Sequence, residues 1–480
     1  MADDLNALSA RALVAAYRSG ALSPVEVLDA SLARLAAVDA VLNASCLVDE
    51  RLGREMAAAS ERRWRRGEPL GALDGVPVAV KDSGHVAGWP MRFGSHRLGS
   101  APSLADSPGV ARLREAGAVF FCKTNTPEFG WKGVTDSPLT GVTRNPWNPA
   151  RTPGGSSGGA AVAVATGVAP LATGGDGGGS IRIPAAFTGV YGLKPTFGRV
   201  PHHAGPLGSL PVFGGLTRTV ADSALMLRVI SRPDAGDPFA VPYQDIDFET
   251  EAERGVEGLT VAVSPDLGFP IVDADVAAAV AAGAAALARA GADVREVTLD
   301  LTALRPVIGI IWRSGLAAAV GSLDDAGRAR LDPGLRDLVA SAAHLSAAEL
   351  QGAQDVCRAL ATRMQAFHRD YDLLLTPAVP IPAFEAGRET PADAAFAEWL
   401  DWTPCTWPFN LSRQPAASVP CGLTRDGLPI GLQLVAGAFR EDLVLRASRA
   451  VERALPQRTL AWPLPGRRRP GGDQTWMARP

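Results

Sequence analysis

The sequence predicts an α/β fold, in which strands and helices alternate around a layered sheet. Residues 107–125 (SPGVARLREAGAVFFCKTN) and 273–299 (DADVAAAVAAGAAALARAGADVREVTL) show this most clearly, because each gives a helical pattern, a glycine and then a strand. The segment GVPVAVKDS at 75–83 adds a buried strand that ends at Lys81. Strands that alternate with helices in this way indicate a sheet covered by helices.

The other segments follow the same pattern. Residues 5–40 predict helices, with Ser23 as an N-cap ahead of a first-turn proline. Residues 232–257 are polar and rich in turn residues, which indicates a long surface connection. Residues 300–400 are mostly helical, and the chain then gives a last strand, LPIGLQLVAG, and a last helix, EDLVLRASRAVERAL.

The composition is that of a chain with a large buried core. Of the 480 residues, 47% are hydrophobic and 20% are charged, which argues against extended disorder. The net charge of −3 gives no overall attraction to nucleic acid or to an anionic membrane, so we expect neither as a partner. The one basic run, GRRRP at 466–470, is interpreted as part of a solvated tail.

The N-terminus and the cysteines predict a cytoplasmic location. The first residues carry acids and no apolar core, so we expect no signal peptide, and the apolar run from Val276 is too short and too weakly apolar to span a membrane. The five cysteines are widely spaced and include no C-x-x-C pair, which argues against a disulfide framework or a zinc site. We therefore expect no metal and no cofactor.

Two glycine-rich stretches each present a serine. TPGGSSGGAAVAVATG at 152–167 contains Ser156, and GGDGGGSIRIP at 174–184 contains Ser180. Of the 47 lysines and arginines of the chain, four are lysines, and all four lie in the same part of the chain as these stretches: Lys81, Lys123, Lys132 and Lys194. A GC-rich coding bias would explain the excess of arginine. Lysine differs from arginine, however, in carrying an amine that can lose its proton.

Three interpretations of these stretches compete. Neither stretch has the lysine or the glycine spacing of a phosphate-binding loop. The segment GGSSG matches the nucleophile elbow of α/β-hydrolases, but the later histidines, His344 and His368, lie in ordinary helical sequence. The third interpretation is a hydrolase with two serines, in which a lysine takes the place of histidine as the base.

At these residues the chain resembles the amidase signature family. The likeness extends from about residue 5 to 457 and is densest at 75–200, where the motifs GVPVAVKD, KTNTPEFG, TRNPWN and the GGSSGG…GGDGGGSIRIP stretch occur in the family's order. The resemblance implies that Lys81 is the catalytic lysine, that Ser156 is a bridging serine on a cis peptide bond, and that Ser180 is the nucleophile.

The resemblance also implies roles around this triad. The loop that ends at Ser180 matches the oxyanion hole, through Gly177, Gly178 and Gly179. Supporting polar positions are matched by Ser157, Asp176 and Arg182. Because the apolar segment SIRIPAA surrounds the arginine, we expect Asp176 and Arg182 to form a buried, hydrogen-bonded brace for the loop rather than a surface ion pair. Gly130 matches a position that lines the acyl pocket.

The fold implied by the resemblance is a single domain with a large, twisted, mixed β-sheet and helices on both faces. We expect this domain to span residues 1–480. Its parts are N-terminal helices (1–70), the signature core with the catalytic site (75–230), a helical region that covers the pocket (300–400) and a loose tail (463–480).

The chemistry of the residues agrees with these roles. A lysine desolvated at the end of a strand has a lowered pKa and can act as a base. A serine hydroxyl needs such a base before it attacks a carbonyl, and glycines let consecutive amide groups turn toward one oxyanion. We therefore expect hydrolysis of an amide or a related acyl–nitrogen bond through an acyl-enzyme, with small-molecule amides, esters or carbamates (urethanes) as substrates.

Two alternatives stay open. One is the A subunit of a tRNA-dependent amidotransferase, which releases ammonia from glutamine inside a complex. The other is a binding homologue without catalysis. The sequence does not determine the natural substrate or the oligomeric state, and a homodimer is compatible with it.

Two departures from the family pattern concern the pocket. The family's G-[ST]-D-x-G-G-S loop carries side chains where this chain has Gly175 and Gly177, which predicts a less rigid loop. Gly130 leaves the acyl pocket wide, so Gly130→Met should reduce activity on bulky acyl groups more than on acetamides.

The remaining polar residues of this window are interpreted as structural. We expect Lys123 and Lys194 to brace strands or loops and Lys132 to lie at the surface or rim. Four histidines lie nearby: His85, His96, His202 and His203. They are candidates for the mouth of a pocket, and the favoured interpretation is solvated loop residues.

Overall fold

In the computed structural model, which describes residues 4–202, 210–456 and 460, eleven strands form one mixed β-sheet. The strands of the described residues are β1 (Ser45–Val48), β2 (Pro77–Lys81), β3 (Val119–Thr124), β4 (Asp136–Ser137), β5 (Gly141–Val142), β6 (Leu171–Asp176), β7 (Tyr191–Lys194), β8 (Val212–Thr217), β9 (Thr260–Val263), β10 (Asp293–Glu296), β11 (Leu373–Pro377), β12 (Ala416–Leu423) and β13 (Pro429–Ala436). Strands β4 and β5 form a separate two-stranded sheet.

The α-helices alternate with these strands. They are α1 (Ala10–Ser19), α2 (Pro24–Leu42), α3 (Glu50–Arg66), α4 (Pro108–Glu115), α5 (Gly158–Ala165), α6 (Arg182–Thr188), α7 (Val220–Ile230), α8 (Phe248–Ala252), α9 (Ala274–Arg289), α10 (Arg305–Val320), α11 (Asp325–Arg328), α12 (Pro333–Ser341), α13 (Ala347–Phe367), α14 (Pro408–Leu411) and α15 (Glu441–Ala454). Short 3-10 helices occur at Leu5–Ala7, Glu128–Gly130, Thr302–Leu304, Ala342–His344 and Trp399–Asp401. Ser23 forms a capping box at the start of α2, as predicted.

The strand order interleaves distant parts of the chain. It is β1-β3-β2-β6-β8-β7-β12-β13-β11-β9-β10. Strand β2 runs parallel to β3 and β6, and β9 runs parallel to β10 and β11, whereas the pairs from β6 through β8, β7, β12 and β13 to β11 are antiparallel. The predicted α/β fold with a large mixed sheet is therefore confirmed.

Helices cover both faces of the sheet. Because successive side chains of a strand point to opposite faces, β2 divides its residues between two cores. Val78 and Val80 pack with residues of α4, α7, α9 and α15, whereas Ala79 packs with residues of α2, α3 and α5. Burial on both faces explains why β2 and β3 consist of fully buried residues.

The segment at 232–257 differs from the predicted surface connection. It contains α8, whose Phe248 and Ala252 are buried in the core against α7 and α15. Because most residues of this segment are polar, its composition indicates a loop, and the two apolar residues that enter the core do not stand out in the sequence. The predicted tail at 463–480 lies outside the described residues.

One described helical stretch, Thr302–Val320, is long and apolar enough to cross a membrane by length and composition alone. In the structure 44% of its most apolar 18-residue window is buried inside the protein. Ile308, Trp312 and Leu316 pack within the second hydrophobic core, so this stretch packs as a core helix.

Candidate active site

Lys81 ends the buried strand β2, and its amine lies against two serine hydroxyls. The distance from Lys81 Nζ is 2.7 Å to Ser156 Oγ and 2.9 Å to Ser157 Oγ. The backbone amide of Lys81 donates to Thr173 Oγ1, which fixes the end of the strand. Burial lowers the pKa of Lys81 from 10.5 to about 7, although the charge of Asp176 acts in the opposite direction. The amine can therefore lose and regain a proton near neutral pH.

The other lysines have different surroundings. Lys123 Nζ lies 3.2 Å from Asp82 and donates to a backbone carbonyl, and Lys194 Nζ donates to the Pro195 carbonyl. Lys132 is buried and pairs with Asp136 and Asp332, so the prediction of a surface position was wrong. Burial works against the charge of Lys132, but its two carboxylate partners raise its pKa above the ordinary value. Asp332 comes from a distant helix cap, which the local sequence does not reveal.

The two glycine-rich stretches meet at their serines. The Ser157 amide donates to the Ser180 carbonyl at 3.1 Å, and the Ser157 hydroxyl bonds to the carbonyl of Gly175. The Gly155–Ser156 peptide bond is cis, as the resemblance implies. Ser156 and Ser180 line the same cavity as Lys81.

Asp176 and Arg182 form a fully buried ion pair behind the loop that carries Ser180. Two nitrogens of the Arg182 guanidinium lie 3.0 and 2.9 Å from the Asp176 carboxylate. The same guanidinium donates to the Thr406 carbonyl and to the side chains of Asn410 and Gln433. Burial alone would raise the pKa of Asp176, but the charge and hydrogen bonds of Arg182 hold it well below the usual range.

The Asp176 carboxylate also shapes the glycine loop. It accepts hydrogen bonds from the amide groups of Gly179 at 2.8 Å and Ile181 at 3.1 Å. Gly179 has a φ of +127°, and a Cβ at this position would collide with Thr406 Oγ1. The resemblance implies that Gly179 is an oxyanion donor, whereas in this structure its amide donates to Asp176.

Other amide groups of the loop remain available. Among the hydrogen bonds between described residues, none uses the amide groups of Gly177, Gly178 or Ser180. Thr406 Oγ1 donates to the Gly178 carbonyl at 2.8 Å, which holds the loop from behind. Of these three residues, Gly177 and Ser180 line the cavity.

These groups surround a cavity of about 230 Å³. Its apolar wall consists of Met91, Phe93, Phe129, Pro211, Val212, Phe213 and Trp312. Trp312 comes from α10, which brings the region 300–400 to the cavity. Among the described residues no group of three or more His, Cys, Asp or Glu side chains is arranged to hold a metal ion.

Gly130 lies on the cavity wall beside the triad. It has a φ of +67°, and a Cβ there would lie 3.3 Å from the Phe93 ring and 3.4 Å from Ser156 Oγ. A side chain at position 130 would therefore contact Ser156 as well as the acyl group of the substrate. For this reason Gly130→Met would affect every substrate, and the substitution does not isolate the acyl pocket.

Sequence reasoning missed several residues of the site. His85 and His202 line the cavity, which is the alternative that the sequence left open for them rather than the favoured solvated loop, and His96 is exposed. His203 lies outside the described residues. The sequence does hold one signal for Asn410 and Gln433, because each is a polar residue within an apolar run, PFNLS and GLQLV. Buried polar residues of this kind need partners, and here they share Arg182.

Comparison with known proteins agrees with this geometry. A family model for amidases matches residues 26–445. The chain belongs to the amidase family.

Two relatives and one solved structure are similar to this chain over nine tenths or more of its length. An acylamidase of Rhodococcus erythropolis is 38% identical over 461 residues, which cover 94% of this chain and 96% of the relative. The A subunit of the glutamyl-tRNA(Gln) amidotransferase from Roseiflexus castenholzii is 36% identical over 460 residues, with 90% and 93% coverage. A bacterial aryl acylamidase of the amidase signature family superposes with a TM-score of 0.87 and 30% identity, over 93% of this chain and 96% of that structure. This amidase is accordingly a hydrolase of carbon–nitrogen bonds other than peptide bonds.

Proposed function

We propose that this amidase cleaves small-molecule amides through an acyl-enzyme on Ser180, with Ser156 and Lys81 as the proton relay. One observation carries the proposal. The Lys81 amine is buried, bonds to two serine hydroxyls and forms no ion pair with the described residues. An amine in such surroundings is the base that a serine nucleophile requires.

The first half-reaction forms the acyl-enzyme. Neutral Lys81 takes the proton of the Ser156 hydroxyl while Ser156 Oγ takes that of Ser180, and Ser180 Oγ bonds to the substrate carbonyl carbon. The amide groups of Gly177, Gly178 and Ser180 stabilise the resulting oxyanion. Ser156 then delivers its proton to the substrate nitrogen, the Lys81 ammonium returns a proton to Ser156, and the carbon–nitrogen bond breaks. The amine leaves because it is protonated.

The second half-reaction uses water in the place of the Ser180 hydroxyl. Water loses a proton to the same relay and attacks the acyl carbon. The bond between that carbon and Ser180 Oγ then breaks, the relay returns the proton to Ser180 Oγ through Ser156, and the acid leaves. Esters and carbamates fit the same steps, since a carbamate carbonyl differs from an amide carbonyl only by its alkoxy oxygen. Carbamate (urethane) hydrolysis is therefore part of the proposal.

The test is a panel of p-nitroanilides, p-nitrophenyl esters and aryl carbamates, assayed with the wild type and Ser180→Ala. We expect the wild type to release the amine or phenol and to carry the acyl group on the peptide that contains Ser180, as measured by mass spectrometry. Ser180→Ala should show neither. Full turnover by Ser180→Ala on any of these substrates would refute the mechanism. A folded wild type that turns over none of them would favour the binding homologue.

A second candidate is the ammonia-releasing component of a tRNA amidotransferase. Its support is the 36% identity with the A subunit from Roseiflexus castenholzii. The cavity argues for a neutral substrate instead. Glutamine carries an ammonium and a carboxylate that need charged partners. Among the described residues that line the cavity, Lys81 is the one lysine and Asp176 the one carboxylate. Asp176 already forms an ion pair with Arg182, so it is not available to the ammonium of glutamine.

An assay of the purified chain with L-glutamine separates the two candidates. Under our proposal, aryl amides are hydrolysed and glutamine releases no ammonia. The amidotransferase alternative predicts the reverse preference, with glutamine hydrolysis that increases when the partner proteins and tRNA are added.

A further inference from the structure

Gly175 differs from Gly174, Gly178 and Gly179 because a side chain at its position would meet no close atom. A Cβ at Gly174 would lie 2.8 Å from Ile181 Cγ1, a Cβ at Gly178 would lie 3.1 Å from Trp399, and one at Gly179 would collide with Thr406. A Cβ at Gly175 would meet nothing closer than the Val212 carbonyl at 3.8 Å and Ser83 Oγ at 4.0 Å. Its φ also lies outside the left-handed region.

Flexibility does not explain this glycine either. The sequence predicts a less rigid loop here, but Gly175 lies within strand β6 and pairs with Phe213 of β8. Its amide and carbonyl lie 3.4 and 3.3 Å from the Ser157 hydroxyl. The backbone of Gly175 is thus held on both sides, and any residue that favours a strand would fit its conformation.

The missing side chain leaves space in the cavity. Gly175 is the one residue of β6 that is not fully buried, and it lines the cavity together with Ser83, Val212 and Phe213. The Ser83 hydroxyl also faces this space and makes no hydrogen bond with the described residues. Of the described residues that bound this space, Ser83 carries a polar side chain, whereas Val212 and Phe213 are apolar.

We propose that Gly175 opens a side lobe of the active-site cavity, bounded by Ser83, Val212 and Phe213, that receives a short branch of the substrate. The inference rests on the proposed function, because the lobe belongs to the same cavity. The substrate class is amides and carbamates that are branched next to the scissile carbonyl. A branch with a hydroxyl is preferred, because the Ser83 hydroxyl supplies its hydrogen-bond partner.

The test fills the lobe with a side chain. Gly175→Thr places a β-branched residue in a strand, where it is compatible with the backbone, and Ser83→Ala removes the polar group. Gly352→Thr, at an exposed position of α13 with nothing within 4 Å, is the control for a glycine substitution away from the cavity. The substrates are the p-nitroanilides of acetic, isobutyric and lactic acid, which differ in the branch alone.

We expect Gly175→Thr to lower kcat/KM for the isobutyryl and lactoyl anilides by about tenfold or more, while the acetyl anilide changes by less than about threefold. Ser83→Ala should lower kcat/KM for the lactoyl anilide alone, and Gly352→Thr should change none of the three. An equal loss on all three anilides with Gly175→Thr, a uniform gain, or no change would each overturn the lobe.

A binding measurement keeps this inference separate from the proposed mechanism. The affinity of the corresponding N-phenyl amides is measured by calorimetry for Ser180→Ala and for Ser180→Ala/Gly175→Thr. Weaker binding of the branched amides alone in the double variant supports the lobe even if Ser180 turns out not to be the nucleophile. Unchanged affinity for the branched amides overturns the lobe even if Ser180 is the nucleophile.

Discussion

At the scale of single residues, the surroundings of a lysine decide its chemistry. Lys81 and Lys132 are both buried, yet burial lowers the pKa of Lys81 to about 7 and two carboxylates raise that of Lys132. A buried amine without a carboxylate partner prefers its neutral form, whereas a buried amine in an ion pair keeps its charge. Only the first can serve as a base near neutral pH.

The pH dependence of the reaction tests this role. Below about pH 7 Lys81 is an ammonium and cannot take a proton, so kcat/KM should rise with pH through about 7 and become constant above it. Lys81→Met should reduce kcat/KM by about 10²–10⁴-fold, in line with the usual contribution of a general base. Lys81→Arg should not restore activity, because arginine keeps its proton.

Lys194 provides the matched control for this profile. It is also a fully buried lysine, and burial together with the charge of Arg182 lowers its pKa to about 7, but it does not line the cavity. The midpoint of the pH profile should stay in place in Lys194→Met. A midpoint that disappears with Lys194→Met would assign the titration to Lys194 and contradict the role of Lys81.

At the scale of elements, Arg182 ties the nucleophile loop to the C-terminal half of the chain. Its guanidinium joins the end of β6, helix α14 and the middle of β13 through Asp176, Asn410 and Gln433. The amide of Gly179 depends on the same carboxylate, so the loop geometry follows from the ion pair. The brace therefore connects the packing of the C-terminal half to the geometry of the loop that carries Ser180.

Removal of the brace should affect both stability and activity. Arg182→Met leaves the buried Asp176 carboxylate without its cation, which should cost about 3–5 kcal/mol in the free energy of unfolding. Urea denaturation followed by circular dichroism measures this loss, and kcat on p-nitroacetanilide should fall as well.

The control for this prediction is Arg63→Met. Arg63 forms a two-point ion pair with the buried Asp74, away from the cavity. Arg63→Met should lower the free energy of unfolding, while kcat of the folded protein stays near that of the wild type. Equal kcat values for Arg182→Met and the wild type would contradict the coupling of brace and loop.

A second inter-element contact joins the cavity wall to the helical region. Asp332 is the N-cap of α12; its side chain pairs with Lys132 and its amide donates to Glu128. Next to Lys132 in the chain, the Trp131 carbonyl accepts a hydrogen bond from the Trp312 side chain of α10. These contacts fix the segment that carries Gly130 against α10 and α12.

A double-mutant cycle measures this contact. Lys132→Met should lower the melting temperature, because it leaves Asp332 and Asp136 without their cation. Adding Asp332→Asn should recover part of the loss, with a coupling of about 1 kcal/mol or more between the two positions. Strictly additive effects would show that the pair does not hold the wall.

At the scale of the whole molecule, the sheet makes the two halves of the chain interdependent. Strand β7 at Tyr191–Lys194 pairs with β12 at Ala416–Leu423, so the sheet continues across the segment at 232–257. The brace at Arg182 crosses the same division. A chain built in this way has no point at which one half could bury its own core.

We therefore predict a single unfolding transition, in agreement with one domain over residues 1–480. Differential scanning calorimetry of the wild type and of Ser180→Ala should each give one peak. A fragment that ends at residue 232 should remain unfolded, since it leaves β7 without β12 and Arg182 without Asn410 and Gln433. Two separate transitions, or a folded fragment, would contradict the single domain.

The sequence by itself determined the fold class and the candidates for the reacting groups. Helix–glycine–strand segments carry the periodicity of an α/β sheet locally, and each glycine-rich stretch keeps its serine within a few residues of the glycines. The resemblance to the amidase signature family singled out Lys81 among the four lysines, and its position at the end of a strand agrees with that role. Local patterns suffice for these features, since their cause is local. The cytoplasmic location and the oligomeric state stay predictions.

Only the tertiary structure decided what surrounds those groups. It paired Lys132 with Asp332, 200 residues away, brought Trp312 to the cavity and occupied the Gly179 amide with Asp176. It also separated Gly175, where a Cβ would meet no close atom, from Gly179, where the φ and Thr406 require glycine. Contacts between distant segments depend on how the sheet orders its strands, and that order is a property of the packed chain rather than of any stretch of it.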